Sequence, residues 1–154
     1  VMNAVEWLVG PVDRLVADAA HQTLPGVTVE DTAHVLTRHG GLLGCLSLNQ
    51  HQAPNEGTLT VICDRGTARF EFHNHRWRWM IDPGGVWHDE DSGPLERDTL
   101  FVAQANQFLD VVEGRAAPAC SLTDAAQTLR VNLAILESVR SQTWQSVSSG
   151  GFTP

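Results

Sequence analysis

The 154-residue sequence is 42% hydrophobic and 18% charged, which is typical of a globular domain with an apolar core. Its net charge of −8 argues against a nucleic-acid partner, and no apolar run reaches the roughly 18 residues of a membrane span. All ten basic residues are Arg, which excludes Schiff-base and P-loop lysines. The odd cysteine count favours buried free thiols at Cys45, Cys63 and Cys120 and a cytoplasmic protein.

Hydrophobic spacing predicts one short helix followed by six strands. The helix covers residues 4–9 and ends at Gly10 and Pro11. From there the period changes to two, and short Gly- and Pro-containing turns separate the segments. The predicted strands are 12–24, 29–39, 42–52, 58–63, 67–73 and 76–81. Because the turns between them are short, neighbouring strands are expected to pair antiparallel.

The later strands predict a sheet with one apolar and one polar face. Trp77, Trp79 and Ile81 are expected on the apolar face, and Arg76 and Arg78 on the other. An irregular acidic connection is expected at 83–93, and a flexible tail at 148–154.

Two helices are predicted after the strands, at 94–113 and 122–142. Ser121 and Asp124 form the pattern of a capping box at the start of the last helix. Its apolar stripe comprises Leu122, Ala126, Leu129, Leu133, Leu136 and Val139. Packing of both helices on the apolar sheet face gives an α+β fold, a two-layer sandwich.

A series of short motifs runs through nearly the whole chain. They are Trp7-Leu8-Val9-Gly10-Pro11-Val12, Val29-Glu30-Asp31-Thr32-Ala33, Gly40-Gly41-Leu42-Leu43-Gly44, Asp64-Arg65-Gly66-Thr67, Glu96-Arg97-Asp98, Phe108-Leu109-Asp110, Gly114-Arg115 and Ser121-Leu122-Thr123-Asp124-Ala125. In order and spacing they resemble the C-terminal domain of the Gfo/Idh/MocA (glucose-fructose oxidoreductase / inositol dehydrogenase) family.

The resemblance implies a large, mostly antiparallel open β-sheet with two C-terminal helices on one face. It assigns residues 1–10 to the end of an inter-domain helix and 11–147 to the substrate and oligomerisation domain. In the family a Rossmann domain comes first and binds NAD or NADP, the substrate lies in the cleft between the domains, and sheets pack into dimers or tetramers. The parent protein is therefore expected to be an NAD(P)-dependent oxidoreductase acting on a sugar, polyol or related hydroxy compound.

The catalytic elements of the family are not matched in this chain. The sequence has no G-x-G-x-x-G and no Lys, and the family's acid/base His would stand immediately before Val1, with Asn3 at a position that is usually Asp. We therefore expect the N-terminal Rossmann domain to be missing, and the chain alone to bind no cofactor, to hold no catalytic residue and to be inactive.

Five residues are candidates for substrate contact. Asn3 follows from the resemblance. Asn49, His51 and Gln52 end a predicted strand with side chains that can donate and accept hydrogen bonds, as recognition of hydroxyl groups requires. Trp87 lies in a predicted loop and could cover a ligand. The competing interpretation of the strand end is a solvated edge before the Pro54 turn.

The polar sheet face is a candidate oligomer interface. Arg is a preferred interface residue, and opposite charges can pair across a symmetric contact. The candidates are Thr58, Thr60, Arg69, Glu71, Arg76 and Arg78. The alternative is a solvated face.

Two further hypotheses stay open at this point. The chain could be a free-standing dimeric binding module without catalytic activity. It could also be a metal-dependent enzyme that uses His73 and His75, with His88 nearby in sequence. Polarity around the turn at Asn74 explains the histidine pair more simply, so no metal site is predicted.

Overall fold

The computed structural model describes residues 1–91, 93 and 96–147, without the side chains of Asp91 and Arg97. The predicted tail at 148–154 and the predicted helix start at 94–95 lie outside these residues. The helices are α1 (Met2–Val9), α2 (Arg97–Val112) and α3 (Leu122–Ser141). The strands are β1 (Arg14–Ala20), β2 (Thr32–His39), β3 (Leu42–Asn49), β4 (Thr58–Cys63), β5 (Gly66–Glu71), β6 (Arg76–Met80), β7 (His88–Asp91) and β8 (Gln145–Ser146).

The chain divides into two units, and the first combines both ends of the sequence. It contains Val1–His51 and the stretch that begins at Ala119. Its sheet has the order β3-β2-β1-β8, and every neighbouring pair is antiparallel. Helix α3 packs against β1 and β8, and α1 packs against α3. The buried apolar side chains of this unit are Met2, Val12, Leu15, Ala17, Val35, Val131 and Val147.

Polar contacts connect α1 to the rest of the first unit. The carboxylate of Glu6 accepts hydrogen bonds from the Val12 N–H at 3.2 Å and from the Thr128 hydroxyl at 3.0 Å. The buried His39 donates from Nδ1 to the Gly10 carbonyl, 2.8 Å away. The end of α1 is therefore held at one end of the sheet, where β1 begins and β2 ends.

The second unit, Gln52–Pro118, contains the sheet β4-β5-β6-β7 and α2. Its strands are also antiparallel, with Thr60 opposite Arg69, Arg69 opposite Arg78 and Arg78 opposite Asp89. Residues in such a row point to the same side of the sheet. On the other face Phe70 contacts Trp77, with a distance of 4.8 Å between ring centroids.

The predicted α+β fold with mostly antiparallel pairing is confirmed, and hydrogen bonding divides the described strands into two sheets of four. The acidic connection predicted to be irregular contains β7, because His88–Asp91 pairs with β6. The prediction of buried thiols is wrong, since all three cysteines are exposed. Trp77 and Ile81, predicted on the apolar face, are 41% and 58% exposed. No helix within the described residues is both long and apolar enough to cross a bilayer.

Candidate functional site

A buried carboxylate organises the end of the first sheet. Asp31 precedes β2 and is only 2% exposed. Its carboxylate accepts hydrogen bonds from the backbone N–H groups of Gln22, Thr23 and Leu24 at 2.9–3.0 Å. These three residues follow β1, so one side chain fixes the chain where it leaves that strand. Three charge-assisted hydrogen bonds to one acceptor stabilise the path of this loop.

The same carboxylate belongs to a closed circuit of hydrogen bonds. Thr32 donates its hydroxyl to Asp31 Oδ1 at 3.0 Å, and Asn49 Nδ2 donates to Thr32 Oγ1 at 3.0 Å. The backbone N–H of His51 donates to Asn49 Oδ1 at 2.7 Å, and His51 Nε2 lies 2.9 Å from Asp31 Oδ2. The circuit therefore fixes Asn49, the last residue of β3, and His51, two positions later, against Asp31 and Thr32 at the start of β2.

The hydrogen-bond donors around Asp31 favour its ionised form. Burial alone would raise the pKa of its carboxyl group, but the hydrogen bonds from the Leu24 N–H, His51 and the Thr23 and Gln22 N–H groups outweigh burial and hold the pKa far below its usual range. An ionised carboxylate can only accept hydrogen bonds.

Two more side chains surround this carboxylate. Thr23 Oγ1 lies 3.0 Å from His51 Nε2. The side chain of His21 lies farther away, with Nε2 3.9 Å from Asp31 Oδ2, and hydrogen-bonds instead to the Leu24 carbonyl at 2.9 Å. The His51 side chain remains 25% exposed while its Nε2 contacts Asp31.

The five predicted substrate residues lie in different parts of the structure and make different contacts. Asn49 and His51 are joined in the circuit described above. Asn3 is exposed on α1, where its amide lies 3.4 Å from Thr128 Oγ1. Gln52 donates to the Pro54 carbonyl at 3.0 Å and belongs to the second unit, as does Trp87. Asn49 and His51 alone of the five are joined by a hydrogen bond among those described.

Sequence reasoning missed Asp31 as a site residue, although it noted the motif that contains it. A usable signal was present. Asp followed by Thr, directly before a strand, is a frequent acceptor for the N–H groups of a nearby loop. Its partner His51 is twenty positions away in the sequence. The pattern of neighbouring residues does not indicate a contact between side chains that far apart.

The second sheet carries a charged network on its polar face. Glu71, which is 6% exposed, accepts from Arg76 Nη2 at 2.6 Å, from Arg78 Nη1 at 3.3 Å and from Asn74 Nδ2 at 2.8 Å. Arg78 also pairs with Asp89 at 2.9 Å. The hydrogen bonds from Asn74 and Arg76 lower the pKa of Glu71 to about 2.

Trp87 lies on this face beside two guanidinium groups. Arg69 and Arg78 are directly opposite each other on neighbouring strands, and their guanidinium carbons lie 5.1 and 5.0 Å from the Trp87 ring centroid. Cation–π attraction offsets part of the repulsion between the two charges. Thr58, Thr60, Arg69, Glu71, Arg76 and Arg78, the predicted interface residues, share this face.

The histidines considered for a metal site make other contacts. His73 Nδ1 lies 3.2 Å from the Gly57 carbonyl oxygen, and the His88 ring stacks on Trp79 at 5.4 Å. Within the part of the chain that the structure describes, no three His, Cys, Asp or Glu side chains come together in a group that could hold a metal ion.

Residues 1–69 match the model of a protein family described as the GFO/IDH/MocA C-terminal domain. No curated protein matches the sequence. Among solved structures, the WlbA dehydrogenase from Bordetella pertussis, in complex with NADH and UDP-GlcNAcA, is similar with a TM-score of 0.71 and 20% identity. That similarity covers 96% of this chain and 42% of the dehydrogenase.

Two further structures resemble the chain more closely in fold. Levoglucosan dehydrogenase, in complex with NADH and levoglucosan, has a TM-score of 0.83 and 15% identity, covering 96% of this chain and 48% of that one. An oxidoreductase from Agrobacterium radiobacter, in complex with NAD+, L-tartaric acid and magnesium, has a TM-score of 0.80 and 17% identity, covering 95% and 46%. The chain spans less than half the length of each of these proteins. At such identities the likeness establishes the fold.

Proposed function

We propose that this chain, whose residues 1–69 match the family model described as the GFO/IDH/MocA C-terminal domain, forms one wall of the substrate site of an NAD(P)-dependent oxidoreductase. The substrate is a sugar, a polyol or a related hydroxy compound. The three similar structures contain NADH or NAD+, with UDP-GlcNAcA, levoglucosan or L-tartaric acid, all of which carry hydroxyl groups.

The observation that carries this proposal is the circuit that fixes Asn49 and His51 at the end of β3. An imidazole and an amide held rigidly beside each other can recognise hydroxyl groups by both donating and accepting hydrogen bonds. Rigid placement also lowers the entropy lost when a ligand binds. The chain's own contribution is thus to bind and orient the substrate.

We place the dinucleotide on residues outside this chain. A dinucleotide cradle is built from a parallel strand, a glycine-rich turn and the following helix N-terminus. The described strand pairs are antiparallel, and the sequence contains no G-x-G-x-x-G. These residues do not fit the group, and we expect the chain by itself to be inactive.

The test uses the full-length protein that contains this chain, with NAD and NADP and a panel of sugars and polyols. We expect reduction of the nicotinamide with a hydroxy compound and a roughly tenfold rise in KM for His51→Ala, since about 1.4 kcal/mol of lost hydrogen bonding corresponds to a factor of ten. His34→Ala, an exposed histidine on β2, serves as the matched control. No reduction with any hydroxy compound rejects the activity, and unchanged kinetics for His51→Ala rejects the site.

We also propose that the polar face of the second sheet contributes subunit contacts in a dimer or tetramer. Its arginines are held in place by Glu71, Asp89 and Trp87, so little side-chain entropy is lost on contact. Arg69→Glu should dissociate the oligomer in light scattering, whereas Arg130→Glu on α3 should not. A monomeric wild-type protein would remove this part of the proposal.

A further inference from the structure

We propose that Asp31 is a positioning residue that holds His51 in the tautomer with the proton on Nε2, so that Nδ1 of His51 accepts a hydrogen bond from a hydroxyl group of the ligand. The identity of the ligand as a hydroxy compound rests on the proposed function. The tautomer rests on the geometry of the circuit alone.

The first half of the circuit fixes the direction of two hydrogen bonds. Thr32 has one hydroxyl proton, and Asp31 Oδ1, 3.0 Å away, can only accept it. The Thr32 oxygen must then accept from its other neighbour, Asn49, whose amide nitrogen lies 3.0 Å away. The Asn49 side chain therefore presents its nitrogen to Thr32.

The second half of the circuit leads from Asn49 to His51 and from the His51 imidazole back to Asp31. With its nitrogen toward Thr32, Asn49 presents its oxygen to the backbone N–H of His51, 2.7 Å away. The circuit thus fixes both the backbone and the side chain of His51 relative to Asp31. Since Nε2 lies 2.9 Å from Asp31 Oδ2, an acceptor, Nε2 must carry the proton. In the neutral ring the lone pair is then on Nδ1.

Thr23 lies on the Nε2 side of the His51 ring. Its hydroxyl oxygen lies 3.0 Å from His51 Nε2 and accepts a second, shared hydrogen bond from that N–H. The Nδ1 lone pair, which points away from the Nε2 side of the ring, is the acceptor that we assign to the ligand hydroxyl. The neighbouring His21 donates its Nε2 proton to the Leu24 carbonyl, which is likewise only an acceptor.

The direct test is the protonation state of His51 in the chain itself. Long-range nitrogen–proton NMR of imidazole-labelled protein, at a pH where His51 is neutral, should show a protonated Nε2 and an unprotonated Nδ1. Asp31→Asn should produce a mixture of tautomers, because an amide can either donate or accept, whereas Asp18→Asn on β1 should change nothing. A protonated Nδ1 in the wild-type chain would overturn the proposal.

Two substitutions of His51 distinguish the roles of its two ring nitrogens. In His51→Gln the amide nitrogen can take the place of Nε2 and keep the contact with Asp31, but no acceptor remains at Nδ1. In His51→Asn the amide oxygen can take the place of Nδ1, and the contact with Asp31 is lost.

The readouts are thermal stability and, in the full-length protein, KM for the hydroxy compound. We expect His51→Gln to retain Tm and raise KM by about tenfold or more, and His51→Asn to lower Tm with a smaller rise in KM. The reverse pattern of KM values would show that Nε2 faces the ligand and would contradict the inference. If no hydroxy compound is turned over, the proposed function fails, while the NMR result still decides the role of Asp31.

Discussion

The hydroxyl group of Ser138 accepts a hydrogen bond from the backbone N–H of Ala17 at 2.9 Å and donates one to the carbonyl of Thr143 at 2.8 Å. Ser138 is fully buried on α3, and Ala17 lies in the middle of β1. One small polar side chain therefore connects the last helix, the first strand and the segment that leads into β8. Only a short residue with a hydroxyl group can do this within a packed helix–sheet contact.

Ser138→Ala is expected to reduce the free energy of unfolding of the first unit by about 1–3 kcal/mol, because the buried N–H of Ala17 loses its acceptor and the carbonyl of Thr143 loses its donor. Ser47→Ala, at an exposed position on β3, should stay within about 0.5 kcal/mol of the wild type. Urea unfolding of both variants measures the difference. Equal stability of the two variants would show that water replaces the Ser138 hydroxyl.

Asp31→Asn tests the loop anchor. The amide can supply one acceptor, but its NH2 group would face donors that now bind the carboxylate. We expect Tm to fall on the order of 10 °C, with Asp18→Asn, on the exposed face of β1, as the matched control. Equal melting of Asp31→Asn and Asp18→Asn would rule out this anchoring role.

Acidification should weaken the network around Glu71 in a defined window. The folded-state pKa of about 2 lies below the ordinary value of 4.5, so the unfolded chain takes up a proton first. The contribution of Glu71 is complete above pH 4.5 and is lost as the pH falls through about 2. Thermal melts of wild type and Glu71→Gln should differ most near neutral pH and converge as the pH falls. A constant difference in Tm across this range would contradict the assignment.

Local features were predictable from the sequence. The period-two pattern places six strands close to their observed positions, and the capping box at Ser121 and Asp124 is present as predicted. Each of these depends on residues within a few positions of each other, which is the range over which backbone propensity and side-chain capping act.

The buried face of α3 was not predictable in the same way. The leucine stripe of the prediction is exposed, with Leu129 at 58% and Leu133 at 56%, while Val131 and Ser138 are buried against β1. Both faces have helical spacing, and the choice between them depends on the sheet that the helix meets. The circuit around Asp31 was not predictable from the sequence for the same reason. Its residues belong to strands that become neighbours only in the folded chain.

The capping box of α3 gives a prediction about coupling. Asp124 N–H donates to Ser121 Oγ at 3.2 Å, and Asp124 Oδ2 accepts from the Ser121 N–H at 3.0 Å and from its hydroxyl at 2.6 Å. The hydrogen bonds from Ser121 also lower the pKa of Asp124. Ser121→Ala should cost about 1 kcal/mol. Because the two side chains bind each other, the double variant with Asp124→Ala should lose less than the sum of the single losses. Strictly additive losses, measured by denaturant unfolding, would mean that the two caps act independently in solution.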